Sequence, residues 1–200
     1  MDPVNPPTVN GDYILDGNNY GPMKYFNIDC DVTGLFSHAS LIKLFPVSRT
    51  LEGDISGWNV SKVTNMKDMF NGATTFNQLL NNWNVSKVTN MEGMFKHNRK
   101  FNQLLNNWNV SKVTNMEGMF NNAYSFDRDL SKWNVSNVTN MREMFRNAHK
   151  FNGDLSKWDV SNVTNMNSMF IYAISFNDGE DAWIQHLIKN LFTIILKQVK

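Results

Sequence analysis

The chain has six tryptophans, and each lies 25 residues after the one before it. This spacing restricts the fold more than any other feature of the sequence. With Trp as position 1 of a unit, Val recurs at positions 3 and 6, Asn at 8, Met at 9 and 12, Phe at 13 and 19, and Leu at 23. Register of this kind predicts a tandem repeat whose units stack, so that like side chains form columns through a shared core.

The register divides the chain into three predicted regions. Residues 1–32 lack the repeat and are interpreted as an N-terminal arm and cap. Residues 33–182 are interpreted as a solenoid of six 25-residue units, of which the first is degenerate and carries Leu41 where Met66 stands in the next. Residues 183–200 stay in repeat phase, and we expect them to form a C-terminal capping helix, because terminal repeats must cover the open end of the core.

Each unit is predicted to contain one short helix and one short strand. Positions 6, 9, 12, 13 and 16 are apolar in most copies, a spacing typical of one face of a helix. Thr at position 7 is the expected N-cap, and Thr89 with Glu92 and Thr114 with Glu117 fit a capping box. The Trp-Asn-Val segment alternates with period two and indicates a short parallel strand, for which a turn-like extended segment is the alternative.

A longer string of residues resembles a known family. W-(N/D)-V-S-x-V-T-N-M-x-x-M-F-x-x-A-x-x-F-N-x-x-L is similar to the mycoplasma-type repeat of the BspA-like leucine-rich-repeat surface proteins. The resemblance is close over 51–178, weaker over 33–50 and 179–200, and absent over 1–32. It implies an α/β solenoid of the leucine-rich-repeat type and a role in adhesion or protein recognition at surfaces. The family carries no catalytic motif that could be transferred.

Composition and charge remove several classes of function. A formal net charge of +1 gives no global attraction to nucleic acid, so no nucleic-acid partner is expected. The single cysteine, Cys30, excludes an internal disulfide and a thiolate metal cluster. No apolar stretch is long enough for a membrane span, and the first residues lack the features of a signal peptide. We therefore expect a cytosolic or viral product, although the resemblance favours a surface role.

Catalytic chemistry has no support in the sequence. The four histidines occupy different phases of the repeat, and no metal-binding histidine pair or glycine-rich phosphate loop occurs. We therefore expect no enzyme activity, no cofactor and no bound metal.

A binding surface is predicted on the outward side of the Trp-Asn-Val segment. Position 2 should point away from the core, and lysines at position 5 stand beside it in three units. The candidate binding residues are Asn59, Asn84, Asn109, Asn134, Asp159, Lys62, Lys87 and Lys112. The alternative is a solvated amide ladder that stabilises stacking. The Asn column at position 8 and the Thr column at position 7 are interpreted as structural.

The last units suggest a contact with another segment or chain. Ile171, Tyr172 and Ile174 are apolar where other copies are mostly polar, so we expect the C-terminal segment or a second chain to cover them. The apolar stripe from Trp183 to Ile195 is interpreted as a cap. A dimer-forming helix is its first alternative, and a membrane-surface helix is the second.

A weakly basic flank, including Lys96, Arg99, Arg146 and Lys150, is interpreted as solvated surface, with an anionic partner as the alternative. The sequence as a whole predicts a non-enzymatic protein-interaction or adhesion module. The alternative is a structural or self-assembling spacer protein.

Overall fold

The computed structural model describes residues 12–15, 18–22, 28, 32–35, 37 and 54–176. Near the N-terminus, strands β1 (Asp12–Leu15) and β2 (Asn18–Pro22) pair in antiparallel orientation, with Ile14 opposite Asn19. They are the only strands among the described residues, which contain no helix.

From Trp58 onward the described chain forms stacked 25-residue coils. We number them coil 1 (58–82), coil 2 (83–107), coil 3 (108–132), coil 4 (133–157) and coil 5 (158–176 described). Each coil is a series of turns in which a backbone amide donates to the carbonyl three residues earlier. In coil 2, for example, Val88 donates to Val85 at 2.9 Å and Met94 donates to Met91 at 3.2 Å.

The predicted α/β solenoid of the leucine-rich-repeat type is therefore wrong, because the coils contain neither a helix nor a strand. The physical reason lies at positions 11 and 15, which have positive φ in every described coil. A residue with left-handed backbone geometry interrupts a right-handed helix. When such a residue is the third of a four-residue turn, the turn has the φ pattern of type II. The residues are Asp68, Gly93, Gly118, Glu143 and Ser168 at position 11, and Gly72, His97, Asn122, Asn147 and Tyr172 at position 15.

Hydrogen bonds between coils replace those expected within a helix. Asp68 N donates to Glu92 O at 2.8 Å, and Phe70 N donates to Met94 O at 2.9 Å. The same step recurs up the stack, so odd-numbered positions from 9 to 15 donate to the coil above. Isolated parallel bridges join the asparagines of position 8 from coil to coil, such as Asn65 with Asn90. Backbone pairing between coils thus lies on this side. The Trp-Asn-Val segment, where the strand was predicted, has a backbone bridge in coil 1, where Asn59 O accepts the amide of Ile28 at 2.9 Å, but none between the described coils.

The expected capping boxes are also absent, because there is no helix to cap. The amide of Thr89 donates to Thr64 O at 2.8 Å, and its hydroxyl donates to the same carbonyl at 3.2 Å. Glu92 instead forms an ion pair with Lys67 of the coil below, with 2.8 Å between Nζ and Oε1. Each asparagine of position 8 accepts the amide two residues later, as Asn90 does from Glu92 at 2.9 Å. The Asn column thus holds the backbone as interpreted, whereas the Thr column joins neighbouring coils and does not cap helices as predicted.

The core consists of columns of like side chains. The phenylalanines of position 13 stack with ring centroids 5.6 to 5.7 Å apart from coil to coil, and the pairs Trp58–Trp83 and Trp108–Trp133 stack at 6.4 Å. The indoles of Trp83, Trp108, Trp133 and Trp158 also donate to the carbonyl 28 residues earlier, as Trp108 Nε1 does to Leu80 at 2.8 Å. Every unit therefore shares its core with the unit below it.

The segment that contacts the lower side of coil 1 lies earlier in the chain than the 25-residue step predicts. Gly34 N donates to Lys67 O at 2.8 Å, as Asp68 N does to the carbonyl of Glu92 above it. Gly34 also has the positive φ of position 11. Residues 32–35 thus take the role of positions 9 to 12, while Leu41 lies outside the described residues.

Asn98 interrupts the alanine column of position 16 inside coil 2. Its side chain is fully buried, and its Oδ1 accepts the amide of Phe101 at 3.1 Å. Its Nδ2 is buried and has no hydrogen-bond partner. An unpaired buried donor costs about 1–3 kcal/mol, so Asn98 weakens the fold at this point.

Candidate functional site

The five side chains of position 2 all point away from the core, as predicted. They are exposed while the Trp before and the Val after them are buried. Their oxygens accept the amide of the serine two residues later, as Asn84 does from Ser86 and Asn109 from Ser111, both at 3.1 Å. Such Asx turns fix the carboxamide at the surface.

Position 5 differs between the lower and the upper coils. Lys62, Lys87 and Lys112 are exposed cations. In coils 4 and 5 the position is asparagine, and Asn137 and Asn162 each donate to a serine carbonyl of the coil below at 2.7 Å. The candidate surface therefore carries positive charge on coils 1 to 3 and a backbone-bound amide above them.

Two candidate residues, Asn84 and Asn109, line an open depression between coils 1, 2 and 3. Its volume is about 340 Å³, and the rest of its lining is Asn81, Asn82, Trp83, Val85 and Asn107. Carboxamides both donate and accept hydrogen bonds and carry no charge. This arrangement suits a polar, uncharged group such as a peptide backbone.

Two exposed leucines lie close in sequence to this depression, and sequence analysis overlooked them. Leu79 is 64% exposed and Leu104 is 47% exposed, both at position 22. We call Leu79, Leu104 and the depression the leucine–asparagine face. The signal was present in the sequence, since position 22 is aspartate at Asp54, Asp129 and Asp154.

The aspartates at position 22 have a structural role that leucine cannot fill. Asp129 accepts the amide of Ser131 at 2.8 Å, and Asp154 accepts that of Ser156 at 2.9 Å. These hydrogen bonds, from the serine amide and then its hydroxyl, lower the pKa of both carboxyl groups below the ordinary value. Coils 1 and 2 therefore lack an Asx turn at position 22 and expose an apolar side chain in its place.

The predicted apolar cluster of coil 5 is exposed among the described residues. Ile171 is 41%, Tyr172 66% and Ile174 71% exposed. Within the described part of the chain, the amides of Met166, Ser168 and Tyr172 donate to no carbonyl. The helix expected to cover this edge, 183–200, lies outside the described residues, so self-association through it stays a prediction.

The described residues hold neither a metal-binding cluster nor a membrane-spanning helix. They contain no group of three or more His, Cys, Asp or Glu side chains arranged to hold a metal ion. Over the same residues there is no helix long and apolar enough to cross a membrane.

Comparison with known proteins gives one family. Residues 39–148 and 105–198 match the family described as "Mycoplasma protein of unknown function, DUF285". The chain belongs to this family. No curated protein and no solved structure matches the sequence at a significant level. The family description assigns no activity, and the resemblance to BspA-like surface proteins stays a prediction.

Proposed function

We propose that the protein is a non-enzymatic interaction or adhesion module that binds a protein partner through the leucine–asparagine face. The observation that carries the proposal is the exposure of Leu79 and Leu104 at a position where other coils place an aspartate that holds a turn. Coils 1 and 2 thus combine an apolar group in water with a missing local hydrogen bond, and neither benefits the isolated chain.

A partner would recover this free energy. Fully burying a leucine side chain contributes about 1.5–3 kcal/mol. Protein interfaces concentrate their affinity in a few central apolar anchors surrounded by polar groups. The asparagines of the depression can supply such a rim, and the exposed Lys87 and Lys112, two or three residues from lining residues in sequence, add positive charge.

The double variant Leu79→Asp/Leu104→Asp tests the proposal, because it gives coils 1 and 2 the residue of coils 3 and 4. Ile174→Asp is the matched control, since it also places aspartate at an exposed apolar position. We expect a partner captured by the wild type to bind the control normally and the double variant at least about tenfold more weakly. Equal binding of that partner by all three proteins, measured by calorimetry, would refute the proposal.

A structural or self-assembling spacer is the second candidate. The repeated hydrogen bonds between coils and the exposed edge at Ile171, Tyr172 and Ile174 support it, because such an edge can add further coils. Sedimentation velocity over a range of concentrations separates the two candidates. Reversible growth into large assemblies supports the spacer, whereas a monomer or dimer at all concentrations supports the interaction module.

A further inference from the structure

One edge of the stack carries cationic side chains and no carboxylates. It is formed by positions 14 to 18 of the coils, which are residues 71–75, 96–100, 121–125, 146–150 and 171–175, and we call it the basic edge. Its lysines and arginines are Lys96, Arg99, Lys100, Arg146 and Lys150. The adjoining positions 10 and 11 hold both signs of charge and pair them internally, as Glu92 with Lys67 and Glu117 with Arg142.

Most of this positive charge is not neutralised within the described part of the chain. Arg146 pairs with Glu143 at 3.1 Å, but Lys96, Arg99, Lys100 and Lys150 form no ion pair there. A surface of one sign attracts a partner of the opposite sign and speeds its association.

Planar side chains of position 17 form a file along this edge. The guanidinium carbon of Arg99 lies 5.6 Å from the ring centroid of Tyr124, whose ring stacks on His149 at 4.7 Å. Tyr124 is held in turn by a hydrogen bond to Asn122 Oδ1 at 3.3 Å. The file restrains the arginine before any partner arrives, which lowers the entropic cost of binding. The facing surfaces of Tyr124 and His149 cover each other, which limits the ring area on which a nucleobase could stack.

The positive charge at the coil 2 end of the basic edge affects the pKa of His97. Burial lowers its pKa from the ordinary value, and the charges of Lys96 and Arg99 lower it further. His97 and Arg99 line an open depression of about 650 Å³, together with Asp68, Asn71 and Thr74 of coil 1. An anion on the coil 2 side of the depression would offset the charges of Lys96 and Arg99, whereas the Asp68 carboxylate would repel one on the coil 1 side.

We propose that the basic edge binds an acidic polypeptide segment that runs along the stack in an extended conformation. Lys100 and Lys150 occupy the same position two coils apart. The rings of Phe101, Phe126 and Phe151, in the adjoining column, are spaced by 6.1 and 6.0 Å, so the two lysines are about 12 Å apart along the stack. An extended chain covers this length in three to four residues, at roughly 3.3 Å per residue. The segment would therefore carry two clusters of carboxylates separated by that number of residues.

Fluorescence anisotropy with a labelled, glycine-spaced peptide carrying two glutamate pairs at this separation tests the proposal on the full chain. Lys100→Gln/Lys150→Gln removes two exposed lysines of the basic edge. Lys132→Gln/Lys157→Gln removes two exposed lysines from another face and is the matched control. We expect the first variant to weaken binding about fivefold to tenfold and the control to weaken it less than about twofold, with affinity falling as salt rises.

The pKa of His97 and two comparison ligands test whether binding is specific to the basic edge and to the spacing of the carboxylates. Binding of the wild type should raise the pKa of His97, followed by nuclear magnetic resonance, because the bound carboxylates offset the charges of Lys96 and Arg99. No binding by the wild type, equal weakening in both lysine pairs, or equal affinity for a peptide with evenly spread glutamates would overturn the proposal. Tighter binding of an oligothymidylate at the same salt would replace it with nucleic-acid binding.

The outcome is separable from that of the leucine–asparagine face. Leu79→Asp/Leu104→Asp leaves the basic edge unchanged, so this variant should bind the acidic peptide as the wild type does. Loss of peptide binding in that variant would show that the two surfaces are not independent and would overturn the proposal.

Discussion

Coils 1 and 2 differ from coils 3 and 4 on the surface, although the same columns of side chains fill their cores. The lower pair has leucine at position 22, whereas the upper pair has aspartates that accept serine amides. Coil 2 also contains the unpaired amide of Asn98, where coils 3 and 4 have Ala123 and Ala148. The difference teaches that the repeat keeps its aromatic and aliphatic columns the same, while the outward position 22 and the buried exception, Asn98, separate a region suited to binding from a region suited to stability.

The largest expected effect should be the same in both regions. Trp83→Ala and Trp133→Ala each remove a buried indole and its hydrogen bond to the carbonyl 28 residues earlier, at 3.0 Å in both cases. Each should lower the free energy of unfolding by about 3–5 kcal/mol in chemical denaturation. Asn84→Ala, at an exposed position, should cost far less. A large difference between the two tryptophan variants would show that the cores are not equivalent.

The next largest effect should appear in coil 2 alone. Asn98→Ala removes the buried unpaired Nδ2 and restores the residue of the neighbouring coils. The amide of Phe101 could then donate to the backbone of residue 98, as Phe126 does to Ala123 at 3.1 Å. We expect a gain of about 1–2 kcal/mol in the free energy of unfolding. A loss of stability would mean that the hydrogen bond from Phe101 to Oδ1 outweighs the unpaired donor.

A smaller effect should follow when the residue of position 22 in one region is replaced by that of the other region. Leu79→Asp supplies the aspartate of coil 3 at the same turn, where it can accept the backbone amide of Asn81, and should stabilise the chain by about 0.5–1 kcal/mol. Asp129→Leu makes the reverse change and should destabilise it by a similar amount. Thermal unfolding of the two variants measures both effects, and changes of the same sign would contradict the assigned role of position 22.

The smallest effect is a dependence on pH that belongs to coils 3 and 4. The pKa of Asp129 and Asp154 is lowered in the folded chain, so their contribution is fully present above the ordinary value of 3.8 and is lost as pH falls through the folded value. Asp129→Asn/Asp154→Asn should therefore flatten the fall of melting temperature below about pH 4. An unchanged slope would show that these hydrogen bonds do not depend on charge.

The sequence predicted the interior and the outward columns but not the backbone. The spacing of Val63, Met66, Met69 and Phe70 is typical of a helix, yet consecutive three-residue turns also return every third residue to the core. The contrary signal was the glycine at Gly93 and Gly118, because position 11 lies within the proposed helix and needs positive φ. Periodicity alone cannot separate these cases, since both place the same side chains inside.

Two further features were missed near the N-terminus. The string V-T-G-L-F-S-H at 32–38 is similar to M-E-G-M-F-K-H at 91–97, and it indicates a repeat whose length departs from 25 residues. In sequence, Asp16-Gly17 separates the residues of β1 and β2, a pair typical of two-residue hairpins. The leucine–asparagine face was not predicted, because the predicted binding surface rested on residues that recur in every unit. Leu79 and Leu104 are departures from the repeat.

The hydrogen bonds that join each coil to the next have a mechanical consequence. Since these bonds connect levels of the stack, tension between its two ends loads the contacts of one terminal coil before those of the interior. When a coil of 25 residues detaches, it lengthens the chain by roughly 80 Å at about 3.3–3.6 Å per extended residue, and the next coil then takes up the load. The described coils would therefore unfold one at a time under force, and the chain would lengthen in steps of equal size.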